Sequence, residues 1–285
     1  ASQQKPVKNS TNFVPFPLGR LRVFPAYLLR TLACSSFFWS NKKERGRKMD
    51  KHKLGVYLAK TGIKANEKQL ESFVRYYDEM IAWNKKCNLT SITEPEEVML
   101  KHFCDSLLIM RSPLWQGRGR LLDIGTGAGF PAVPLKIINP ELEVVLVDAL
   151  NKRVEFLRSL IETLELKRVT VIHSRAEDLK KVYPGKGSFD YVVSRAVAKL
   201  AVLAEYMLPF VCIGGYAIVY KGPESDEEIR ASVNALKILG GKITGELFLE
   251  LPQQAGKRRL IIISKEHESP AQYPRKAGTP EKKPL

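Results

Sequence analysis

The stretch "LLDIGTGAGFP", Leu121 to Pro131, decides the fold. An apolar pair leads into Asp123, and glycines follow at alternate positions 125, 127 and 129. Glycine reaches backbone angles closed to other residues and puts no side chain between main chain and ligand. A strand running into such a turn, with a helix behind it, is the nucleoside-binding corner of a doubly wound sheet. The dinucleotide fingerprint is GxGxxG. Here the sixth position is Phe130, so the spacing is GxGxG. A P-loop requires GxxxxGK[ST], which the chain lacks.

Working outward, the pattern downstream of Arg120 alternates strand and helix. Strands are expected at 120–124, 143–148 ("EVVLVD"), 169–173 ("VTVIH"), 189–193 ("FDYVV") and 216–220 ("YAIVY"). Near-continuous apolar strands separated by helices predict a buried parallel sheet. "GELFLEL" and "RRLIIIS" predict a closing hairpin. Upstream, residues 50–115 read as helical, with Phe73, Tyr77, Ile81 and Trp83–Asn84 at spacings of three and four. Thr93 is the expected N-cap of a helix running to about Arg111, with Pro95 in its first turn and Glu96 completing a capping box.

The second strand ends in an acid, Asp148, placed to bond ribose hydroxyls. Glycine turn and acid together fit any adenosine-containing cofactor. Asp123, then GxGxG, then Asp148 resembles the S-adenosylmethionine site of class I methyltransferases. The fold class expected is therefore α/β, Rossmann-like, with a doubly wound and mostly parallel seven-stranded sheet behind an N-terminal helical subdomain. In that reading Gly125, Gly127 and Gly129 let the methionine moiety lie against backbone amides. Asp123 lies near its amino and sulfonium end. Asp148 takes the ribose, and Ala176 and Glu177 in "RAED" lie at the adenine.

The 285 residues carry a net charge of +16, which points to a polyanionic partner. No apolar run approaches the ~20 residues that span a bilayer. Four cysteines, Cys34, Cys87, Cys104 and Cys212, show no CxxC spacing. That usage predicts reduced thiols in the cytoplasm and no metal site. Residues 1–48 hold ten of the cations and one acid, without helical or strand periodicity. "KKERGRK", Lys42 to Lys48, is codable by purines alone and precedes Met49. It reads as a translated ribosome-binding region with Met49 as the start; a transit peptide or a basic tail are the alternatives. The expected division is a foreign, disordered extension (1–48), a helical subdomain (49–116), the methyltransferase domain (117–266) and an extended basic tail (267–285).

The methyl acceptor is read partly from what is missing. Methylating an exocyclic amine often uses an NPPY-like stretch after the fourth strand, where this chain has "SRAVAKL". Methylating a pyrimidine carbon needs a cysteine nucleophile, and no cysteine sits in a Pro-Cys pair. Guanine N7 already carries a free lone pair and needs mainly alignment. The sequence is compatible with that acceptor.

Several blocks in order carry a closer resemblance: "NLTSITEPEEVMLKHFCDSLL", "LLDIGTGAGFPAVPL", "VDALNKRVEFL", "SRAEDL", "VVSRAV", "YKG" and "YPRKAGTPEKKPL". From Met49 to Leu285 the chain resembles the bacterial small-subunit ribosomal RNA guanine-N7 methyltransferases, also known as glucose-inhibited division protein B. The family pattern has glycine where this chain has Ala132. The resemblance implies one guanine in the 530 loop of 16S rRNA as substrate, with 16S rRNA or the small subunit as partner. It implies S-adenosylmethionine contacts at Gly125, Phe130, Ala176, Glu177 and Arg195. The working unit is expected to be a monomer without metal or membrane.

Other residues carry weaker expectations. His102, Asp105 and Ser106 share a helix and read first as packing and capping groups. Lys221, Arg258, Arg275 and Lys276 are the expected RNA contacts. The tail "YPRKAGTPEKKPL" has three prolines and one glycine, which argue against a helix. It is expected across the active-site mouth or along RNA phosphates. The competing functions are methylation of another RNA or a small molecule, and a non-enzymatic ribosome-assembly factor that binds RNA.

Overall fold

The computed structural model describes residues 48–183, 187–195 and 198–285. Apart from Lys48, the extension expected over 1–48 lies outside them, as do Ala196 and Val197 of "SRAVAKL". The strands are β1 (Arg120–Ile124), β2 (Glu143–Asp148), β3 (Val169–His173), β4 (Phe189–Ser194), β5 (Val211–Lys221), β6 (Gly241–Glu250) and β7 (Lys257–Lys265). They form one seven-stranded sheet in the order β3-β2-β1-β4-β5-β7-β6. Pairs from β3 to β5 are parallel, and β7 runs antiparallel to both β5 and β6. This is the class I methyltransferase architecture, with the final hairpin where the sequence places it.

Period-two alternation divides the sheet's side chains between two cores. One face presents Leu121, Val144, Leu146, Val193 and Ile218. The helices α1 (Lys51–Lys60) and α2 (Glu67–Cys87) cover it, with α3 (Ala132–Ile138) and α4 (Asn151–Thr163). The N-terminal helices thus share one core with the sheet. The other face presents Leu122, Val145, Val147, Val192 and Val219 to α5 (Leu200–Met207) and α6 (Asp226–Leu239). Consecutive residues of β2 are buried on opposite faces, which is why the strand reads as one unbroken apolar run.

Local chemistry sets the helix ends. Asn66 and Gln69 form a reciprocal capping box at the start of α2. Gly240, at φ +74°, ends α6, whose first turn holds Asp226, Glu227 and Glu228 against the helix dipole. The segment expected to begin at a Thr93 cap differs. Glu94 is its N-cap and makes no side-chain cap bond. The Thr93 carbonyl instead accepts from the Tyr77 hydroxyl at 3.0 Å. The Glu96 carboxylate is taken by Lys53 at 2.8 Å and by the Tyr57 hydroxyl. Tertiary partners have displaced the local cap. The segment runs Pro95–Val98 as α-helix, Met99–Cys104 as π-helix, Asp105–Leu107 as α-helix and Leu108–Arg111 as a 3-10 turn. Wide π turns recur at functional sites. This one carries His102 and delivers Asp105 toward the ends of β4 and β7.

Candidate cofactor-binding site

β1 and β2 build the site together. Beyond β1 the amides of Gly125 and Thr126 both donate to the Val147 carbonyl of β2, at 2.9 and 3.1 Å. Gly125, Gly127 and Gly129 have φ of +73°, +62° and +94°, a region that favours glycine. A Cβ on Gly129 would stand 2.7 Å from the Tyr76 hydroxyl oxygen and 2.8 Å from Val133 Cγ2. A Cβ on Gly127 would meet nothing within 4 Å. Gly129 therefore lets the turn seat on the core, whereas Gly127 borders open space.

Two carboxylates anchor this turn from opposite sides. Asp123 is fully buried. Its Oδ2 accepts from Thr126 Oγ1 at 2.8 Å and from the Ala132 amide at 3.1 Å. Its Oδ1 is buried and, among the described residues, has no hydrogen-bond partner. Burial pushes the Asp123 carboxyl up to about 7. Ala132, where the family pattern has glycine, is the buried first residue of α3, and its amide is one of the two donors that hold Asp123. Asp148, at the end of β2, accepts from the Gly127 amide at 2.9 Å through Oδ2 and from the Leu150 amide at 2.9 Å through Oδ1. Arg153 Nη1 stands 3.4 Å from Oδ2.

A cleft of about 490 Å³ opens at the carboxyl ends of these strands, where doubly wound sheets bind ligands. Gly125, Asp148, Ala176 and Glu177 line it, together with Tyr206 of α5 and Gly278 of the tail. Four of the nine expected cofactor residues thus converge on one cleft. Asp123 and Gly129 lie behind it, packed into the turn.

Phe130 and Arg195 belong to an adjoining cluster. The Phe130 ring is buried, stacked on His102 at 4.5 Å and on Tyr76 at 5.3 Å, with the Arg195 guanidinium 5.0 Å from its centroid. Arg195 Nη1 donates to Asp105 Oδ2 at 3.1 Å, and Arg258 Nε donates to Asp105 Oδ1 at 2.9 Å. One buried carboxylate therefore orients two guanidinium groups that remain partly exposed. Burial and Arg195 push the His102 imidazole down to about 3, so it is neutral at ordinary pH. Ser106 donates to the His102 carbonyl at 2.6 Å, a packing bond within the helix.

The remaining expected RNA contacts divide. Lys221 does not face solvent. Its Nζ donates to the Ala198 carbonyl and pairs with Glu228, both at 2.6 Å, which staples the segment after β4. Arg275 is held by Glu205, through Nη2 to Oε2 at 2.6 Å. Glu205 is a fully buried carboxylate, and Arg275 is its charged partner. Lys276 is exposed. The tail contains a one-turn helix, Thr279–Lys282, contrary to the expectation from its prolines. Pro280 sits in the first turn, where its missing N–H costs nothing. The tail, expected across the active-site mouth or along RNA phosphates, lines this cleft with Gly278 and Glu281, whereas sequence reasoning missed Tyr206 and which tail residues reach the cleft. The available signal was Glu205, a lone acid inside the apolar helix "LAVLAEYM".

Among the described residues no three His, Cys, Asp or Glu side chains cluster as a metal site. None of their helices is long and apolar enough to cross a membrane.

The family model described as rRNA small subunit methyltransferase G matches residues 69–254. A Ribosomal RNA small subunit methyltransferase G from Alkaliphilus metalliredigens is 46% identical over 224 residues, 79% of this chain and 94% of the relative. One from Desulfitobacterium hafniense is 49% identical over 223 residues, 78% of this chain and 92% of the relative. Among solved structures, TrmN from Thermus thermophilus aligns at 16% identity and a TM-score of 0.45, covering 59% of this chain and 53% of that one. M. jannaschii TYW2 in complex with AdoMet aligns at 15% identity and a TM-score of 0.43, covering 55% and 78%. The glycine turn, the acid at the end of β2 and the "RAED" turn all fall inside the matched span, and the chain belongs to the rRNA small subunit methyltransferase G family.

Proposed function

We propose that this protein transfers a methyl group from S-adenosylmethionine to N7 of a guanine in the 530 loop of 16S rRNA, acting as a monomer on the rRNA or the small subunit. Its family membership supports rRNA as the substrate. The observation that carries the cofactor reading is the cleft lined by Gly125, Asp148, Ala176 and Glu177. The donor set fits the group. A Cβ on Gly127 would have no atom within 4 Å, and among the described residues one buried oxygen of Asp123, behind the turn, has no hydrogen-bond partner.

When bound, S-adenosylmethionine supplies an electrophilic methyl on a sulfonium. The chain's own groups hold and orient. Asp148 is fixed by the Gly127 and Leu150 amides and retains lone pairs for ribose hydroxyls. Ala176 and Glu177 border the adenine end. The sealed Asp123 carboxylate attracts a cationic ligand in a region of low dielectric. Arg195 and Arg258, oriented by Asp105, face the rRNA side with their exposed portions.

An N7 acceptor needs no proton removed and no covalent activation, so alignment supplies the rate. The cysteines agree with such a route. Burial pushes the Cys104 thiol up to about 12, which leaves no thiolate at neutral pH. Cys212 lies at the other end of the sheet, in a cavity with Gly119 and Asp190. The test is transfer of radiolabelled methyl to 16S rRNA and to 30S subunits, followed by mapping of the modified nucleotide. Labelled N7-methylguanine in the 530 loop is the expected product. Label on another base atom, or on no RNA, overturns the assignment.

A further inference from the structure

The end of the chain is built into the cleft. Tyr273 is buried in the core beneath α5, and Lys180 Nζ donates to the Pro274 carbonyl at 3.0 Å. Arg275 then engages Glu205 four times. Its backbone N and its Nε donate to Oε1 at 2.8 and 2.9 Å, and its Nε and Nη2 donate to Oε2 at 3.1 and 2.6 Å. Glu205 is buried. A carboxylate sealed in that way is costly unless paired, so the ion pair decides where the tail lies.

Three residues on, Gly278 turns the chain at φ +79° and its amide donates to Glu177 Oε1 at 2.9 Å. Tyr206, the neighbour of Glu205 on α5, donates its hydroxyl to the same oxygen at 3.2 Å. Among the described residues the other oxygen, Oε2, has no hydrogen-bond partner. Gly278 and Glu281 then form part of the cleft wall.

Resting on the reading of this cleft as the S-adenosylmethionine site, we infer that Arg275 is a positioning residue for the cofactor. Its ion pair with Glu205 seats Lys276–Glu281 as a wall of the cleft, and the Gly278 amide turns Glu177 so that Oε2 meets the purine. An ionised carboxylate only accepts hydrogen bonds. Oε2 therefore suits the exocyclic amino group of adenine and disfavours the oxo group of hypoxanthine. The tail, on this inference, sets purine specificity as well as affinity.

The experiment compares the full chain, Arg275→Ala, and a truncation ending at Arg275. The truncation keeps Glu205 paired while removing Gly278 and Glu281, so it answers the question even if Arg275→Ala fails to fold. Calorimetry measures binding of S-adenosylhomocysteine and S-inosylhomocysteine. Both variants should bind S-adenosylhomocysteine at least about tenfold more weakly, or about 1.4 kcal/mol. Both should also lose the preference for the adenine analogue. At saturating S-adenosylmethionine, kcat should stay within about twofold while KM for the cofactor rises, the mark of lost binding and not lost chemistry. A truncated protein with the wild-type affinity and the wild-type adenine preference overturns the inference and leaves the cofactor reading standing. A full chain that binds neither analogue overturns both.

Discussion

The turn after β1 and the C-terminal tail border one cleft, and they are held there by different means. The turn is secured almost entirely by itself and by the strand beside it. Its amides close on Val147 and Thr126, and its backbone angles follow from glycine. The tail is secured by contacts from far along the chain: the buried Tyr273, Lys180 on the Pro274 carbonyl, the Gly278 amide on Glu177 and, above all, the pairing of Arg275 with Glu205 seventy positions away. The difference explains why the turn is legible in a window of eleven letters, whereas for the tail the sequence left two courses open, the active-site mouth or RNA phosphates. A short-range constraint writes itself into residue type and spacing. A long-range one leaves only two half-signals, an acid in an apolar helix and a cation among prolines.

The largest effect expected lies inside the turn and separates its glycines. Gly129→Val would force a branched side chain against Tyr76 and Val133 at φ +94°. Overpacking and backbone strain each cost about 1–3 kcal/mol, so thermal unfolding should show a marked loss of stability. Gly127→Val should leave the circular dichroism spectrum near wild type, because its Cβ meets nothing. Its affinity for S-adenosylmethionine should fall more than about tenfold, because strain at φ +62° displaces the turn and the Gly127 amide that holds Asp148. The reverse pattern, with Gly129→Val stable and Gly127→Val unfolded, would mean that the turn faces the other way.

Asp148→Ala comes next, because this carboxylate belongs to the turn and to the cleft at once. It removes the acceptor for the Gly127 and Leu150 amides together with the proposed ribose partner. Hydrogen bonds to a charged group contribute about 1.5–3 kcal/mol, so affinity should drop at least about tenfold. A calorimetric change of about twofold or less would remove the ribose from Asp148.

The same division runs through the rest of the fold. β1, β2 and β3 begin and end where the apolar runs do. β5 starts at Val211, five residues before its expected start, because Gly214 and Gly215 interrupt the apolar pattern while the ladder with β4 continues across a register shift. Asp148, Ala176 and Glu177 were legible because strand ends in a doubly wound sheet point at one crevice. Asp105 as the shared partner of Arg195 and Arg258 was not. It depends on a π turn and on residues 90 and 153 positions away.

A smaller and pH-dependent effect distinguishes the two carboxylates of the turn. The Asp123 carboxyl is raised to about 7 in the folded chain, chiefly by burial, with Arg195 lowering it and Asp148 raising it further. An unfolded aspartate ionises near 3.9. Between those values the folded state keeps a proton that the unfolded state has lost. Asp123 therefore lowers stability as pH rises from about 4 to about 7 and adds no further slope above that. Asp123→Asn should flatten this part of the stability profile in denaturant titrations. A cationic ligand favours the ionised form, so wild-type affinity for S-adenosylmethionine should rise from pH 6 to pH 8, while the variant stays level. Parallel profiles for the two proteins would show that Asp123 ionises normally and has no electrostatic role.

The smallest effect expected tests the tail's two adjacent cations against each other. Arg275 is committed to Glu205, whereas Lys276 is exposed beside the cleft wall. If only Lys276 meets rRNA phosphate, Lys276→Ala should reduce the magnitude of the salt slope of RNA binding by about 0.7–0.9, one phosphate's share. Its affinity for S-adenosylhomocysteine should match wild type. Adding Arg275→Ala to it should leave the slope where Lys276→Ala put it and should weaken S-adenosylhomocysteine. RNA titrations at several salt concentrations, paired with calorimetry on the same preparations, read both quantities. A further slope change of about one unit in the double variant would return Arg275 to the phosphate-contacting surface. The ion pair with Glu205 would then be a contact that RNA displaces, and the tail would be a wall of the cleft only while RNA is absent.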